Sequence, residues 1–276
     1  MGNEGHFVGV AGRRIFFRSW QPDGAAKDHL VVAHGYAEHS GRYEAFGRWF
    51  AERGYAVHAL DHHGHGQSDG ARAVIESFDE AVADMDRLVD KVRGESGLER
   101  VKLVGHSMGG SLALYYALSR QDKLSGLVLS GPAIGGGVSA PMNLVLRLLS
   151  FLAPKMGTVE LDSDAVSRDP AVVAAYRADP LVTLGKVPAR TAQQMMAAIA
   201  RYPHEVQHLL VPVLYMHGNA DSLVPHAPVQ PIVSAMGSPD KTQTIYEGLY
   251  HEIFNEPERE TVLGDVLGWL EAHPAG

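Results

Sequence analysis

The pentapeptide Gly105-His106-Ser107-Met108-Gly109 places a serine between two glycines. It sits at the passage from a short β-branched run, residues 101–104, to a helical segment that contains residues 112–118. A turn this sharp lifts a hydroxyl clear of a sheet edge, and a Cβ at either glycine would collide with the adjoining strand or helix. A serine so presented can attack a carbonyl carbon, provided that a base removes its proton. An imidazole does this well, and it needs a carboxylate to set its tautomer and to stabilise its charged form. In strand–turn–helix settings of this kind the chain order is serine, then acid, then histidine.

Two downstream strand ends supply the partners. The apolar run 211–216 empties into His217-Gly218-Asn219-Ala220-Asp221, and the run 242–246 empties into Glu247-Gly248-Leu249-Tyr250-His251. Ser107 is therefore assigned as nucleophile, Asp221 as orienting acid and His251 as base. Asp240 precedes its strand and falls at the wrong edge. Glu252 and Glu256 read as surface or helix-start residues, and His217 and His226 as structural neighbours of the acid loop. A developing oxyanion needs preorganised N–H donors. One is expected from Met108, at a helix N-terminus where the dipole helps. The other is expected from the backbone of Tyr36, in the loop His34-Gly35-Tyr36 after the strand 29–33.

Asp61-His62-His63-Gly64-His65-Gly66 has the composition of a metal site. No His-x3-His spacing sits on a helix here, and the glycines suit a tight loop, so no metal is expected and the loop is read as packing beside the serine turn.

The elements that must carry these residues alternate. Strands are expected at 29–33, 56–60, 101–104, 124–129, 211–216 and 242–246. Between them lie helical patterns. Tyr43, Phe46, Trp49 and Phe50 recur at helical spacing before Gly54. Phe78, Ala81, Val82, Met85, Leu88, Val89 and Val92 follow the i, i+3, i+4 rule, and 261–270 forms a closing helix. This rhythm predicts an α/β architecture with a mostly parallel sheet flanked by helices. It breaks between residues 135 and 206, where apolar helical pieces appear without a credible strand. That stretch is read as a helical cap inserted between strands, over the strand ends where ligands bind. Residues 1–134 and 207–276 form the core.

With 276 residues the chain can bury a sizeable core, and 45% hydrophobic with 20% charged residues is an ordinary globular balance. A net charge of −8 argues against nucleic acid and against electrostatic adhesion to anionic lipid. The lack of cysteine excludes disulfides, thiolate catalysis and Cys-ligated zinc. Residues 1–12 have no signal-peptide pattern, and no apolar stretch is long enough to span a bilayer. A cytoplasmic protein is expected.

Taken together, several segments resemble the monoacylglycerol lipases. They are His34-Gly35-Tyr36-Ala37-Glu38-His39-Ser40-Gly41-Arg42-Tyr43, then Asp61-His62-His63-Gly64-His65-Gly66-Gln67-Ser68, then the serine turn. Likeness continues through Leu161-Asp162-Ser163, Ser167-Arg168, Tyr176-Arg177-Ala178-Asp179-Pro180-Leu181 and Tyr246-Glu247-Gly248-Leu249-Tyr250-His251, so it includes the inserted stretch. Similar bacterial sequences are also named lysophospholipase. The resemblance implies an α/β-hydrolase fold with a lid, and hydrolysis of a single-chain glyceryl ester without cofactor. It implies the same roles for Ser107, Asp221, His251, Tyr36 and Met108. It further implies that Glu38, Arg42 and Tyr176 lie near the alcohol end of the pocket, although Glu38 and Arg42, four apart, can equally pair with each other. Two departures stand out. Tyr36 occupies a position held by a small residue in mammalian members, and Phe254 one held there by a histidine.

Leu144, Val145, Leu146, Leu148, Leu149, Phe151 and Leu152 are too apolar for a helix facing water. They are expected either to pack on the core or to form a greasy rim and tunnel for an acyl chain, with transient contact to a lipid interface. The expected ligand is thus a small lipid ester. Alternatives with the same three residues are a lysophospholipase, a broad carboxylesterase and a cofactor-free perhydrolase or C–C hydrolase. A non-catalytic binding protein on the same fold is the alternative of another class. The sequence is silent on oligomeric state.

Overall fold

A computed structural model describes residues 3–274; Met1, Gly2, Ala275 and Gly276 lie outside the described residues. An eight-stranded sheet forms the centre. Its strands, in chain order, are β1 (Asn3–Val8), β2 (Arg14–Trp20), β3 (Asp28–Ala33), β4 (Tyr55–Leu60), β5 (Val101–His106) and β6 (Leu124–Ser130). After the insert, in which two further short strands (β7 and β8) lie, come β9 (Val213–Gly218) and β10 (Lys241–Tyr246). The spatial order is β1-β2-β4-β3-β5-β6-β9-β10. Only the β1–β2 and β2–β4 pairings are antiparallel; from β4 to β10 every neighbour is parallel.

Successive side chains of a strand point to opposite faces, and β3, β4, β5, β6 and β9 are buried on both, whereas the edge strand β10 buries none of its residues fully. Val31 and Ala33 join the apolar cluster on one side, with α2 (Phe78–Ser96) and α3 (Met108–Arg120). Leu30 and Val32 join the other, with α1 (Glu44–Ala51) and α8 (Arg259–Ala272). Helix α2 shows why such segments stop where they do. Ser77 accepts the Asp79 N–H, Asp79 and Glu80 occupy the first turn, and Gly97 closes the helix at φ 74°.

Each strand expected from sequence is present, with ends displaced by one or two residues; β9 begins at Val213 rather than at residue 211. Strands β1 and β2 were not foreseen. They form a hairpin whose outer strand, β1, is polar, contains Gly5 and buries none of its side chains fully.

Between β6 and β9 the chain leaves the sheet for α4 (Ala140–Leu152), β7 (Gly157–Glu160), α5 (Pro170–Ala178), β8 (Lys186–Pro188) and α6 (Ala189–Glu205). The expectation of no strand here is corrected, since β7 and β8 pair antiparallel. Both are too short for a period-2 pattern, and Pro188 hides the second. Helix α6 docks onto the core by polar and apolar contacts. Thr191 Oγ1 donates to Ala73 O at 2.7 Å, Tyr202 OH donates to Ser111 O at 2.7 Å, and Ala198, Ile199 and Tyr202 join the core cluster.

Helix α4 behaves differently. Of its apolar residues only Leu146 is buried, whereas Phe151 is 82% and Leu144 68% exposed. Leu144, Leu148 and Leu152 form an outer apolar face and not a buried one. A short helix, α7 (Gln230–Ala235), follows β9.

Candidate active site

Ser107 stands at the turn between β5 and α3 with φ 54° and ψ −121°. Positive φ is strained for a residue with a side chain, and it is held here by packing. A Cβ on Gly109 would lie 2.1 Å from Ala33 O, and one on Gly105 would lie 2.5 Å from Gly109 O. Any residue other than glycine at these two positions would push α3 away from β3 and β5. The serine N–H donates to Ser130 O at 3.1 Å, and its carbonyl accepts from Ala133 and Ser111.

Asp221 follows β9 and His251 follows β10. His251 Nδ1 lies 2.7 Å from Asp221 Oδ2. The ionised carboxylate can only accept, so Nδ1 carries the proton and Nε2 is left with its lone pair. Asp221 Oδ1 accepts the N–H groups of Leu223 and Val224, each at 2.9 Å. A further donor is His217 Nε2, at 3.1 Å from Asp221 Oδ2 and 2.7 Å from Val224 O. Both partners are acceptors, so His217 is protonated at Nε2 and its Nδ1 accepts from Tyr215 OH at 2.8 Å. Burial alone would raise the Asp221 pKa, but the charge and donation of His251 together with the His217 and Val224 donors carry it well below the carboxylate range. Burial alone would lower that of His251, and Asp221 reverses this and raises it above its ordinary value.

Burial lowers the pKa of His34, His62, His65 and His106. His106 packs on His251 with ring centroids 4.7 Å apart, and burial, aided by the charge of His251, takes it down to about 4. In the loop after β3, His34 Nδ1 donates to Gly35 O at 2.7 Å while its Nε2 accepts the His62 N–H at 2.9 Å. His62 and His65 pack against His34, and burial drives His65 to about 3. The histidine-rich loop thus braces the loop beside the serine turn. No group of three or more His, Asp or Glu among the described residues is placed to hold a metal ion.

Ser107, His251, Tyr36 and Glu38 line one cavity of about 470 Å³. Among the described residues, neither the Tyr36 N–H nor the Met108 N–H has a hydrogen-bond partner. The remaining wall is mainly apolar, from Val159, Leu161, Leu184, Val187, Met195, Met196 and Ile199 of the insert and Leu223 and Val224 of the acid loop. Helix α4 contributes nothing to this lining. The expectation that its leucines build a tunnel is therefore corrected: residues of β7, β8 and α6 take that place.

Glu38, Tyr176 and Glu252 also face the cavity, whereas Arg42 is absent from its lining. Arg42 stands behind the two carboxylates, paired with both. Burial would raise the Glu38 pKa, but Arg42, with His106, His34 and the Gly35 N–H, holds it at about 2. Glu252 and Glu256, read from sequence as surface or helix-start residues, are 4% and 1% exposed. Glu256 accepts from Arg168 Nε at 2.9 Å and from the Arg168 N–H at 2.9 Å, tying the insert to the segment after β10 that carries His251. Their burial was hidden because the pairing cations lie 210 and 88 residues away. Phe254 packs on Phe46 with centroids 5.1 Å apart, and Tyr36 presents its ring to His65.

The sheet order, the strained serine after β5 and the acid and histidine after β9 and β10 define an α/β-hydrolase. Residues 24–258 match a family described as serine aminopeptidase, S33. Over 273 residues the chain is 42% identical to the monoacylglycerol lipase of Mycolicibacterium smegmatis, covering 98% of each. It is 33% identical to the monoglyceride lipase of Homo sapiens, covering 98% of this chain and 91% of that protein. The crystal structure of Paleococcus ferrophilus monoacylglycerol lipase matches with a TM-score of 0.83 at 30% identity, covering 94% of this chain and 99% of the other. The chain belongs to the monoacylglycerol lipase family. No helix of the described residues is long and apolar enough to cross a membrane.

Proposed function

We propose that the protein hydrolyses the ester of monoacylglycerols to a fatty acid and glycerol, through an acyl-enzyme on Ser107. The observation that carries this reading is that the strained serine and the His251–Asp221 pair open into one mostly apolar cavity with polar groups grouped at Glu38, Tyr176 and Glu252. Ser107 Oγ attacks the carbonyl carbon while His251 Nε2 takes its proton. The carbonyl oxygen becomes an oxyanion and is held by the N–H groups of Tyr36 and Met108, the latter at the N-terminus of α3. The carbon–oxygen bond to glycerol then breaks, and His251 returns the proton to the leaving oxygen. Water, deprotonated by the same nitrogen, attacks the acyl carbon and frees the fatty acid and Ser107.

In this reading residues 135–206 act as a cap, with the acyl chain lying along Met195, Met196, Ile199 and Val187. The alcohol end is bounded by Glu38 and Tyr176, and no metal or cofactor is required. The exposed face of α4 carries Leu144, Leu148 and Phe151 toward solvent, which suits transient contact with a lipid surface from which substrate is drawn.

The test is a set of initial rates on monoolein, diolein, lysophosphatidylcholine and p-nitrophenyl esters of graded length. Preference for monoolein is expected. A clear preference for lysophosphatidylcholine would move the assignment to a lysophospholipase, and equal rates on all would make it a broad carboxylesterase.

A further inference from the structure

One guanidinium joins the two loops on which catalysis depends. Arg42 Nη1 donates to Glu38 Oε2 at 2.9 Å and to Glu252 Oε1 at 2.5 Å, and its Nη2 donates to Glu252 Oε2 at 2.7 Å. Glu38 belongs to the loop after β3. Its Oε1 accepts the Gly35 N–H at 2.6 Å, one residue before Tyr36, and the Tyr43 hydroxyl at 3.0 Å. Glu252 directly follows His251; its N–H donates to Val166 O at 2.8 Å and its Oε2 accepts from Asn255 Nδ2 at 2.8 Å. The Arg42 guanidinium carbon lies over the Tyr176 ring of α5, 4.6 Å from its centroid. The Arg42 side chain is 10% exposed and both carboxylates 5%.

We infer that Arg42 is a positioning residue: by gripping Glu38 and Glu252 together it fixes the loop bearing the Tyr36 N–H relative to the loop bearing the His251 ring, without touching substrate. This rests on the proposed roles of Ser107, His251 and Tyr36. The geometry needs a planar fork with several fixed donors, which arginine has and lysine lacks. Oxyanion donors and base must meet the same carbonyl group, and a misplacement of about 1 Å between such groups costs on the order of 100-fold in rate. A substrate contact would behave otherwise, because it would be felt mainly in KM for an ester with a glycerol end.

The experiment measures kcat and KM of R42K, R42M and R42A on monoolein and on p-nitrophenyl butyrate, which has no glycerol. Thermal unfolding and the rate of Ser107 labelling by a neutral fluorophosphonate are followed in parallel. The expected result is a loss of about 100-fold in kcat on both esters. R42K should show it while melting within a few degrees of the parent, and millimolar guanidinium should restore part of the R42A rate. A rise in KM confined to monoolein, with kcat kept, would overturn the inference in favour of substrate contact. So would losses that follow the unfolded fraction and do not respond to guanidinium. A parent enzyme active on the butyrate ester but inert on monoolein would refute the substrate assignment alone, since the role of Arg42 is still read on the butyrate ester.

Discussion

His251 Nδ1 meets Asp221 Oδ2 at 2.7 Å, and the same oxygen is met by His217 Nε2 at 3.1 Å. Asp221 is therefore saturated with donors and stays ionised, which fixes the His251 tautomer that leaves Nε2 free. It also raises the His251 pKa above its ordinary value of about 6.5. A base works only when neutral, so the rate rises with pH through this raised pKa, and the acid limb of kcat/KM lies above pH ~6.5. Asp221→Asn is predicted to lower kcat by about 10⁴-fold. It removes the charge that raised the His251 pKa, so the acid limb moves to lower pH; a pH–rate profile of both proteins checks this.

A second prediction concerns charge in the substrate. Glu38, Glu160, Asp162 and Glu252 line the cavity, and no lysine or arginine does so among the described residues. A cleft lined by one sign of charge focuses its field on whatever enters. At low ionic strength an anionic ester, lysophosphatidate, is predicted to have kcat/KM about 10- to 100-fold below that of the monoacylglycerol with the same chain. Added salt narrows the gap by screening. Initial rates on the matched pair at two salt concentrations check it, and near-equal rates at low salt would contradict it.

How much of this could be read from sequence follows from how locally each feature is determined. The serine turn was legible because a strand, two glycines and a helix within a dozen residues leave one backbone solution. The meeting of Asp221 and His251 was legible because each falls in the loop after one of two neighbouring parallel strands, β9 and β10. Arg42 and Glu252 were not, since a pair 210 residues apart leaves no local mark and Glu252 sits among polar neighbours. The hairpin β1–β2 escaped because β1 lies at a sheet edge and buries little, so its alternation is weak. Helix α4 was legible as a helix but not in its environment, because an apolar run looks the same whether it faces a core or a lipid surface.

That last point yields a third prediction. Phe151 and Leu148 are exposed on α4 and are not among the residues lining the cavity. The double variant Leu148→Glu/Phe151→Glu is predicted to keep the rate on soluble p-nitrophenyl butyrate within about twofold. On monoolein presented in neutral phosphatidylcholine vesicles it should lose about tenfold or more, because each side chain forfeits part of the ~1.5–3 kcal/mol that full apolar transfer contributes. Vesicle flotation and rates on both substrates provide the check; equal losses on both would place α4 in the cavity's function and not at a surface.

Acyl-enzyme catalysis depends on the hydroxyl of Ser107. The most direct measurement is kcat of Ser107→Ala on monoolein, with circular dichroism and melting showing the fold unchanged. A fall of about 10⁴-fold or more is predicted, since neither the imidazole nor the oxyanion donors supply a nucleophile. Turnover within tenfold of the parent would contradict the acyl-enzyme mechanism.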